Sequence, residues 1–464
     1  MKAEKLIILS LCCLAFMPLQ AQDEVKKEAV KSHLQQHFKL YGFIRNYFAY
    51  DSRESISGTG DLYNFMPRDV NMNAFGDDLN AQSTFRFLSL TTRAGLDIVG
   101  YKWRGTEFGA KIEADFYAGL STKGVGTHSL SGTATLRLRQ AYLTLAWDSL
   151  SMGKDYARVQ LLLGQAWHPM AADLSDVIAL NSGAPFGPFS RTPMVKMDAR
   201  LGKYVTLTAA GLWQMQYLSI GPDGQSAEYI AYSKTPEAYL GLSFHDKGFL
   251  MRVGADVLSI KPRHTAQVLG PDGVTKTNVK VKDRITTASP YIYLQYKHNE
   301  FSIKAKSIFA EAGEHMNLNG GYAVKAVNAD GSREYTPTRT SSSWISIVYG
   351  GKVGAQEDKH PQKLQGILFA GYVYNLGTKD PILMNTDGTA VGYYYPRVSN
   401  MNQMWRLTPT LLWTIGKFQL GCEYEITSVQ YGDDGAINAA KGLYDKGLHW
   451  VTNHRVQLMT KYNF

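Results

Sequence analysis

Apolar and polar residues alternate along most of this chain. In FGAKIEADFYAG, Phe108, Ala110, Ile112, Ala114, Phe116 and Ala118 share one parity, and Lys111, Glu113, Asp115 and Tyr117 the other. Side chains of a strand point alternately to its two faces, so this segment predicts a strand with one apolar and one wet side. The pattern recurs in RTPMVKMDARL, where Val195, Met197, Ala199 and Leu201 oppose Lys196, Asp198 and Arg200. FLMRVGADV sets Phe249, Met251, Val253, Ala255 and Val257 against Arg252 and Asp256. KFQLGCEYEI sets Phe418, Leu420, Cys422, Tyr424 and Ile426 against Gln419, Glu423 and Glu425. The final RVQLMTKYNF keeps the alternation as far as Phe464, with Val456, Leu458, Thr460 and Tyr462 on one face. In LRLRQAYLTLAW the apolar parity switches near Arg139, which predicts a β-bulge.

About sixteen such segments are present, over 38–51, 84–99, 106–119, 133–148, 157–167, 192–201, 204–217, 236–245, 248–260, 284–297, 300–313, 342–353, 363–375, 402–415, 417–430 and 448–464. Most run ten residues or more, the length a tilted strand needs to cross a bilayer. Links after odd-numbered segments are long (52–83, 120–132, 168–191, 218–235, 261–283, 314–341, 376–401 and 431–447), whereas those after even-numbered ones are short, as in HDKG, HNE and IGK. An even strand count with this strict alternation predicts an all-β fold, a transmembrane antiparallel β-barrel with long outside loops and short periplasmic turns. The last strand then pairs with the first, and lipid covers the apolar side.

The first residues place the barrel. MKAEKLIILSLCCLAFMPLQAQ carries Lys2 and Lys5 ahead of an apolar run from Leu6 to Met17 and then small Ala21, the pattern of a signal peptide over 1–21. Residues 22–37 contain DEVKKEAVKSHLQQ, which reads as a leader or a short periplasmic helix, and 38–464 form the barrel. With Cys12 and Cys13 in the signal, Cys422 remains alone, so no internal disulfide is expected. These features predict the outer membrane of a Gram-negative bacterium, with its lipid as partner. The formal charge of +9 suits an anionic partner of some kind. No zinc-finger spacing or basic helix supports nucleic acid, so none is expected.

Reactive constellations are sparse. Asp223, Asp272, Asp330, Asp387 and Asp434 each precede Gly in a long link. One carboxylate per loop is too few for calcium, and Asp-Gly favours tight turns, so these read as turns. His168, Asp173 and Ser175 fall close together, as an esterase would need, yet no nucleophile motif accompanies them and they read as a polar loop. His449 and His454, five apart on a strand, lie on opposite faces and make no ligand pair. The chain therefore predicts no enzyme, no cofactor and no metal ligands.

The third long link differs from the others. It carries an apolar patch, glycines and prolines, and returns through Arg191 and Pro193. A barrel this wide cannot fill its lumen with side chains, so a loop must narrow it if the pore is to select. The strand ending in GQAW (Gly164, Gln165, Trp167), the loop, the RTP start (Arg191, Pro193), the preceding LRQAYLTL strand and the closing Phe464 resemble trimeric porins, in particular the DcaP-like family. That resemblance implies an outer-membrane porin for passive diffusion, a homotrimer, and a preference for small carboxylates. It implies a constriction formed by 168–191, with Gly164, Gln165, Trp167, His168, Asp173 and Arg191 as its residues. Wet-face parity aims Arg45, Arg93, Lys111, Glu113, Asp115, Lys196, Arg200, Arg252, Arg406 and Arg455 into the pore. Bases and acids across the wall predict a transverse field, and the basic excess predicts passage of small polar, mainly anionic, solutes. The alternative is a barrel with a plugged lumen, acting as a surface binding or secretion-linked protein.

Overall fold

A computed structural model of the protein describes residues 36–58, 63–89, 91–118, 135–152, 155–179, 182–270, 272–354, 361–395, 398–433, 435 and 437–464. The expected signal peptide, and the expected helix or leader except for its last two residues, lie outside this set. Sixteen strands close into one antiparallel barrel: β1 (Phe38–Asp51), β2 (Thr84–Leu88 continued by Arg93–Trp103), β3 (Thr106–Ala118), β4 (Thr135–Met152), β5 (Asp155–Trp167), β6 (Arg191–Leu201), β7 (Val205–Leu212), β8 (Glu237–Asp246), β9 (Phe249–Ile260), β10 (Ile285–His298), β11 (Phe301–Glu311), β12 (Arg333–Val353), β13 (Gln362–Thr378), β14 (Met401–Ile415), β15 (Phe418–Tyr431) and β16 (His449–Asn463). Each pairs with its sequence neighbours, and β16 pairs with β1 from Phe43↔Asn463 to Asp51↔Arg455. The ring leaves no open edge, so its ladder amides need no water from the bilayer.

The strands correspond one to one with the sixteen segments read from the sequence. Two boundaries move by more than a few residues. β12 starts at Arg333, because its outer half pairs with Tyr322–Val327 in a hairpin beyond the wall. β7 stops at Leu212, where loop 213–236 takes over. Short turns reverse the chain tightly. Arg104 and Gly105 have φ of 48° and 80°, and Lys247 and Gly248 have 42° and 89°, the two successive positive values of a type I′ hairpin. The bulge falls where the parity switches: Glu113 faces Gln140 and Ala114 faces Leu138, so Arg139 is the extra residue.

Outward positions are apolar and exposed, among them Leu40, Ile44, Leu143, Leu240, Leu368, Leu411 and Leu458. Near the short turns stand Trp103, Tyr204, Tyr296, Tyr349 and Phe418, the aromatic border of a membrane barrel. Tyr462 and Phe464 belong to it, 50 % and 46 % exposed, and the Phe464 amide donates to the Gly42 carbonyl at 3.1 Å.

The interior is divided. Loop 1 (52–83) sends the hairpin Ser55–Gly58/Tyr63–Pro67 inward, loop 3 (168–190) crosses the lumen, and loop 6 (312–332) begins with an inward turn at Gly313–Met316. Phe65, Met66, Met170, Phe186, Met316 and Leu318 from these loops pack on Trp344, Phe369, Val373, Met404, Val429 and Tyr431 of β12–β15. Full burial of each large side chain contributes about 1.5–3 kcal/mol. Only loop 3 was expected to enter. Loops 1 and 6 join it because they too carry apolar side chains that have no other place to be covered.

Candidate functional site

Between loop 3 and the wall formed by β16 and β1–β5 remains a cavity of about 380 Å³. Its charged lining is Arg45, Arg93, Arg137, Arg139 and Lys461 with the single acid Asp115. Register explains why these groups lie at one height. Arg45 stands opposite Lys461, Phe43 opposite Arg93, Arg93 opposite Asp115, and Asp115 opposite Arg137. Like charges directly across a sheet repel, so the Arg45–Lys461 pair is unfavourable for folding. Phe43 moderates it: the charged ends of Arg45, Arg93 and Lys461 lie 4.9, 5.0 and 4.6 Å from its ring centre.

Two acids hold three guanidinium groups on β2–β4. Asp115 accepts from Arg137 Nε and Nη2 at 3.0 and 2.9 Å and from Arg139 Nη1 at 2.7 Å. Glu113 accepts from Arg139 Nε at 2.7 Å and lies 3.6 Å from Arg93. Arg45 Nε donates to Thr91 Oγ1 at 2.8 Å. Among the described residues no carboxylate pairs with Lys461. The bulge at Arg139 lets Arg137, Arg139 and Gln140 all reach these two carboxylates.

Loop 3 faces this wall with Leu174, Val177, Ile178 and Ala179. Its acids point the other way. Asp173 is bound by Arg252 Nη1 at 3.0 and 2.9 Å, and Asp176 accepts from Lys304 Nζ at 2.6 Å. Further bonds stitch the loop to distant strands: Ile178 and Ala179 amides donate to the Glu423 carboxylate at 2.9 and 3.1 Å, and Lys306 Nζ donates to the Met170 and Asp173 carbonyls at 2.8 and 2.7 Å. The Tyr47 hydroxyl donates to the Ile178 carbonyl at 2.6 Å. Acids of loop 3 therefore do not oppose the cationic belt; an apolar surface does.

Of the residues expected to line the pore, Arg45, Arg93 and Asp115 border this cavity. Glu113 stands just behind, holding Arg93 and Arg139. Lys111 is taken up by Asp97 at 2.7 Å, Lys196 by Asp198 at 2.7 Å, and Arg200 binds the Lys203 carbonyl at 3.2 Å near the short-turn end. Arg252 serves loop 3. Arg406 and Arg455 face inward, yet neither lines the cavity. Arg406 is buried and donates to carbonyls of Ala184, Asn64 and Phe65 at 3.1, 3.2 and 2.9 Å, tying loops 1 and 3 together. Arg455 is buried 3.8 Å from Asp51. Wet-face parity could not separate a side chain facing water from one facing an infolded loop.

The loop residues divide similarly. Gly164 has φ of 131°, and a Cβ there would lie 2.3 Å from the Ala141 carbonyl, so no other residue fits. Gln165 donates to the Leu138 and Arg139 carbonyls at 3.2 and 3.0 Å. Trp167 lines the cavity, with the Arg191 guanidinium 4.8 Å from its ring. His168 turns away from Asp173 and Ser175: Nε2 lies 2.8 Å from Glu237 and 3.6 Å from Asp256, and Nδ1 accepts from the Met170 amide at 3.1 Å. His315 joins them from loop 6. Burial disfavours charge on both imidazoles, but the Asp256 and Glu237 carboxylates outweigh it and hold their pKa values up at about 9. At His168 the Met170 amide donating to Nδ1 opposes that, and its geometry is that of the neutral ring. The sequence reading did not place Arg137, Arg139 or Lys461 in the pore lining, naming Arg139 only as the bulge, although all three sit on the wet parity of strands already recognised.

The Asp-Gly turns use their own carboxylates. Asp272, Asp330 and Asp387 accept from amides two residues on, at 3.1, 2.9 and 2.9 Å. Asp434 lies outside the described residues.

No family model matches the sequence, and no curated protein is similar to it. Solved structures do resemble it. The outer membrane channel DcaP of Acinetobacter baumannii superposes with a TM-score of 0.61 at 17 % identity, over 92 % of this chain and 97 % of that one. An anion-selective porin from Comamonas acidovorans gives 0.44 at 10 % over 92 % and 99 %, and Salmonella typhi OmpF gives 0.45 at 11 % over 92 % and 97 %. The first likeness shows a shared fold. With its closed ring and apolar exterior, the chain is an outer-membrane β-barrel of porin architecture.

Proposed function

We propose that the protein is a DcaP-like porin through which small hydrophilic anions diffuse passively, past a constriction made by loop 3. The observation that carries this reading is the cationic belt: five basic side chains and one acid around a cavity of about 380 Å³. Retaining like charges across a β1–β16 pair costs stability, and an anion in transit is what would relieve it. The selecting field differs from the one expected. It runs from a basic wall to an apolar loop face, so anions are drawn to one side without cations being drawn to the other. On this reading the barrel is a channel and not an enzyme, and it works as a homotrimer.

Planar-bilayer recording tests it. We expect stable steps of current and a reversal potential on the anion side in a potassium chloride gradient. The packed loops favour one rival, a plugged barrel that binds at the cell surface, and absence of current from folded protein would establish that rival instead. Mass measurement of the detergent-solubilised protein checks the trimer.

A further inference from the structure

Away from the cavity, loop 5 (261–284) ends in KTNVKVKDR, a row of bases that the proposed channel does not use. Burial alternates along it without a break into β10. Even-numbered residues from Lys280 to Tyr296 are exposed, and odd-numbered ones from Val281 to Tyr293 are buried. Lys280, Lys282 and Arg284 therefore share the outward parity of Ile292 and Leu294, which face lipid. The outward face of β9 ends in the same way: Val257 and Ser259 lead to Lys261. Lys261 and Arg284 follow directly on the last rung of that ladder, Ile260↔Ile285.

Height places this row. Tyr296 stands at the short-turn border, and Arg284 lies twelve residues before it, about 40 Å of strand at about 3.4 Å per residue. With a tilt of about 35–45° the climb is about 30 Å, which clears an apolar band about 25 Å tall. The outward residues between them, from Leu294 to Thr286, carry no charge. Arg284 is thus the first charge on this face, at the level of the lipid heads, and Lys282 and Lys280 follow above it.

The row forms one side of an open groove of about 510 Å³, whose other side is the hairpin of loop 6 and β12 with Lys325 and Arg333. The acids nearby are engaged. Asp330 accepts from the Ser332 amide and hydroxyl at 2.9 and 2.6 Å, and Glu334 lies 3.9 Å from Lys325. Glu311, at the top of β11, accepts from the Ala288 amide at 3.2 Å. Arg284 donates to the Ser259 hydroxyl at 2.7 Å and the Ser233 carbonyl at 2.8 Å, which fixes its position. Among the described residues no carboxylate pairs with Lys280, Lys282 or Arg284. Bases two apart on one face stand about 7 Å from each other, within reach of one another at physiological salt, and a multivalent anion would relieve their repulsion.

We infer that this groove seats the phosphate groups of a glycolipid of the outer leaflet. Outward parity and height favour a lipid head over a solute bound for the pore. A guanidinium beside two ammonium groups suits phosphate oxygens, and a basic cluster at a membrane surface gains from each anionic head it meets.

The test uses the full barrel in detergent, stripped of lipid by detergent exchange, titrated with bisphosphorylated lipid A and read by native mass spectrometry. We expect one lipid retained per chain, and little retention of the same lipid after its phosphates are removed. Lys280→Gln with Lys282→Gln, checked for heat-modifiable mobility, should weaken retention about tenfold or more, and Arg284→Gln should add to the loss. Both lysines are exposed, so this pair carries the test should Arg284→Gln fail to fold. Lys102→Gln, at an exposed short-turn base on the opposite rim, should retain lipid as the wild type does. Unchanged retention in the lysine pair, equal retention of the dephosphorylated lipid, or displacement of the lipid by inorganic phosphate at equal concentration overturns the inference. None of these readouts depends on whether the barrel conducts.

Discussion

The two halves of the lumen solve opposite problems with the same kind of wall. Along β16 and β1–β5, inward side chains are basic, crowded and only partly neutralised, and space is left between them and loop 3. Along β11–β15 an apolar cluster with buried polar anchors is covered by loops 1, 3 and 6. Bases that reach into the covered half, such as Arg406 and Lys306, are spent on loop carbonyls. A pore lining and a loop anchor therefore look alike on the strand; what differs is whether a loop or water meets the side chain. Packing in one half holds loop 3 at a fixed distance from the charges in the other.

The largest effect should come from cutting the packed half. Arg406→Met removes donors from three loop carbonyls and takes away the guanidinium 3.5 Å from Glu425, which keeps its hydrogen bond from Asn64. Breaking a buried pair in this way costs about 3–5 kcal/mol. We expect a lower unfolding temperature and larger, noisier single-channel currents; unchanged currents would mean that the loops are held independently of Arg406.

Next comes the wet half. Arg45→Ala with Arg93→Ala should move the reversal potential toward cations by several-fold in permeability ratio, and more at low salt, since screening confines a charge to about 8 Å at physiological ionic strength. Lys461→Ala should act in the same direction. Lys325, which lies 3.5 Å from Asp380 in an outer loop, is the control and should change little. Equal shifts from both would remove the distinction between belt and periphery.

Deleting Phe464 should lower the yield of assembled barrel, because its ring and amide join the last strand to Gly42 of the first. Immunoblots of outer-membrane fractions and heat-modifiable mobility check this. Smallest of all, Asp272→Asn in an exposed turn should leave stability within about 0.5 kcal/mol, read from the unfolding temperature.

Much of the barrel was legible because lipid on one side and a wet lumen on the other impose period-two alternation. Even the irregularity at Arg139 was visible as a change of parity. The inward course of loop 1 was not, since SISG and YNFMP carry no signal that tells a covered apolar patch from an exposed one. Arg455 and Arg406 face inward but are buried and do not border the cavity, because parity reports direction and not what waits there. Glu237, Asp256, His168 and His315 are scattered over 148 residues, and only the closing of the ring brings them together. No spacing rule could have joined them.

The extra residue at Arg139 has an implication for how this chain can vary. Below the bulge, outward positions of β4 are even-numbered, as at Leu136 and Leu138; above it they are odd, as at Leu143. Losing that one residue would leave an unbroken alternation, with Leu136, Leu138, Ala141 and Leu143 outward and Arg137 and Gln140 inward. What the deletion would remove is the guanidinium that bridges Glu113 and Asp115, whereas one residue added or lost elsewhere in β4 would turn the apolar run toward the lumen. The bulge is thus the one place where this strand carries an additional charge without moving its neighbours to the other face.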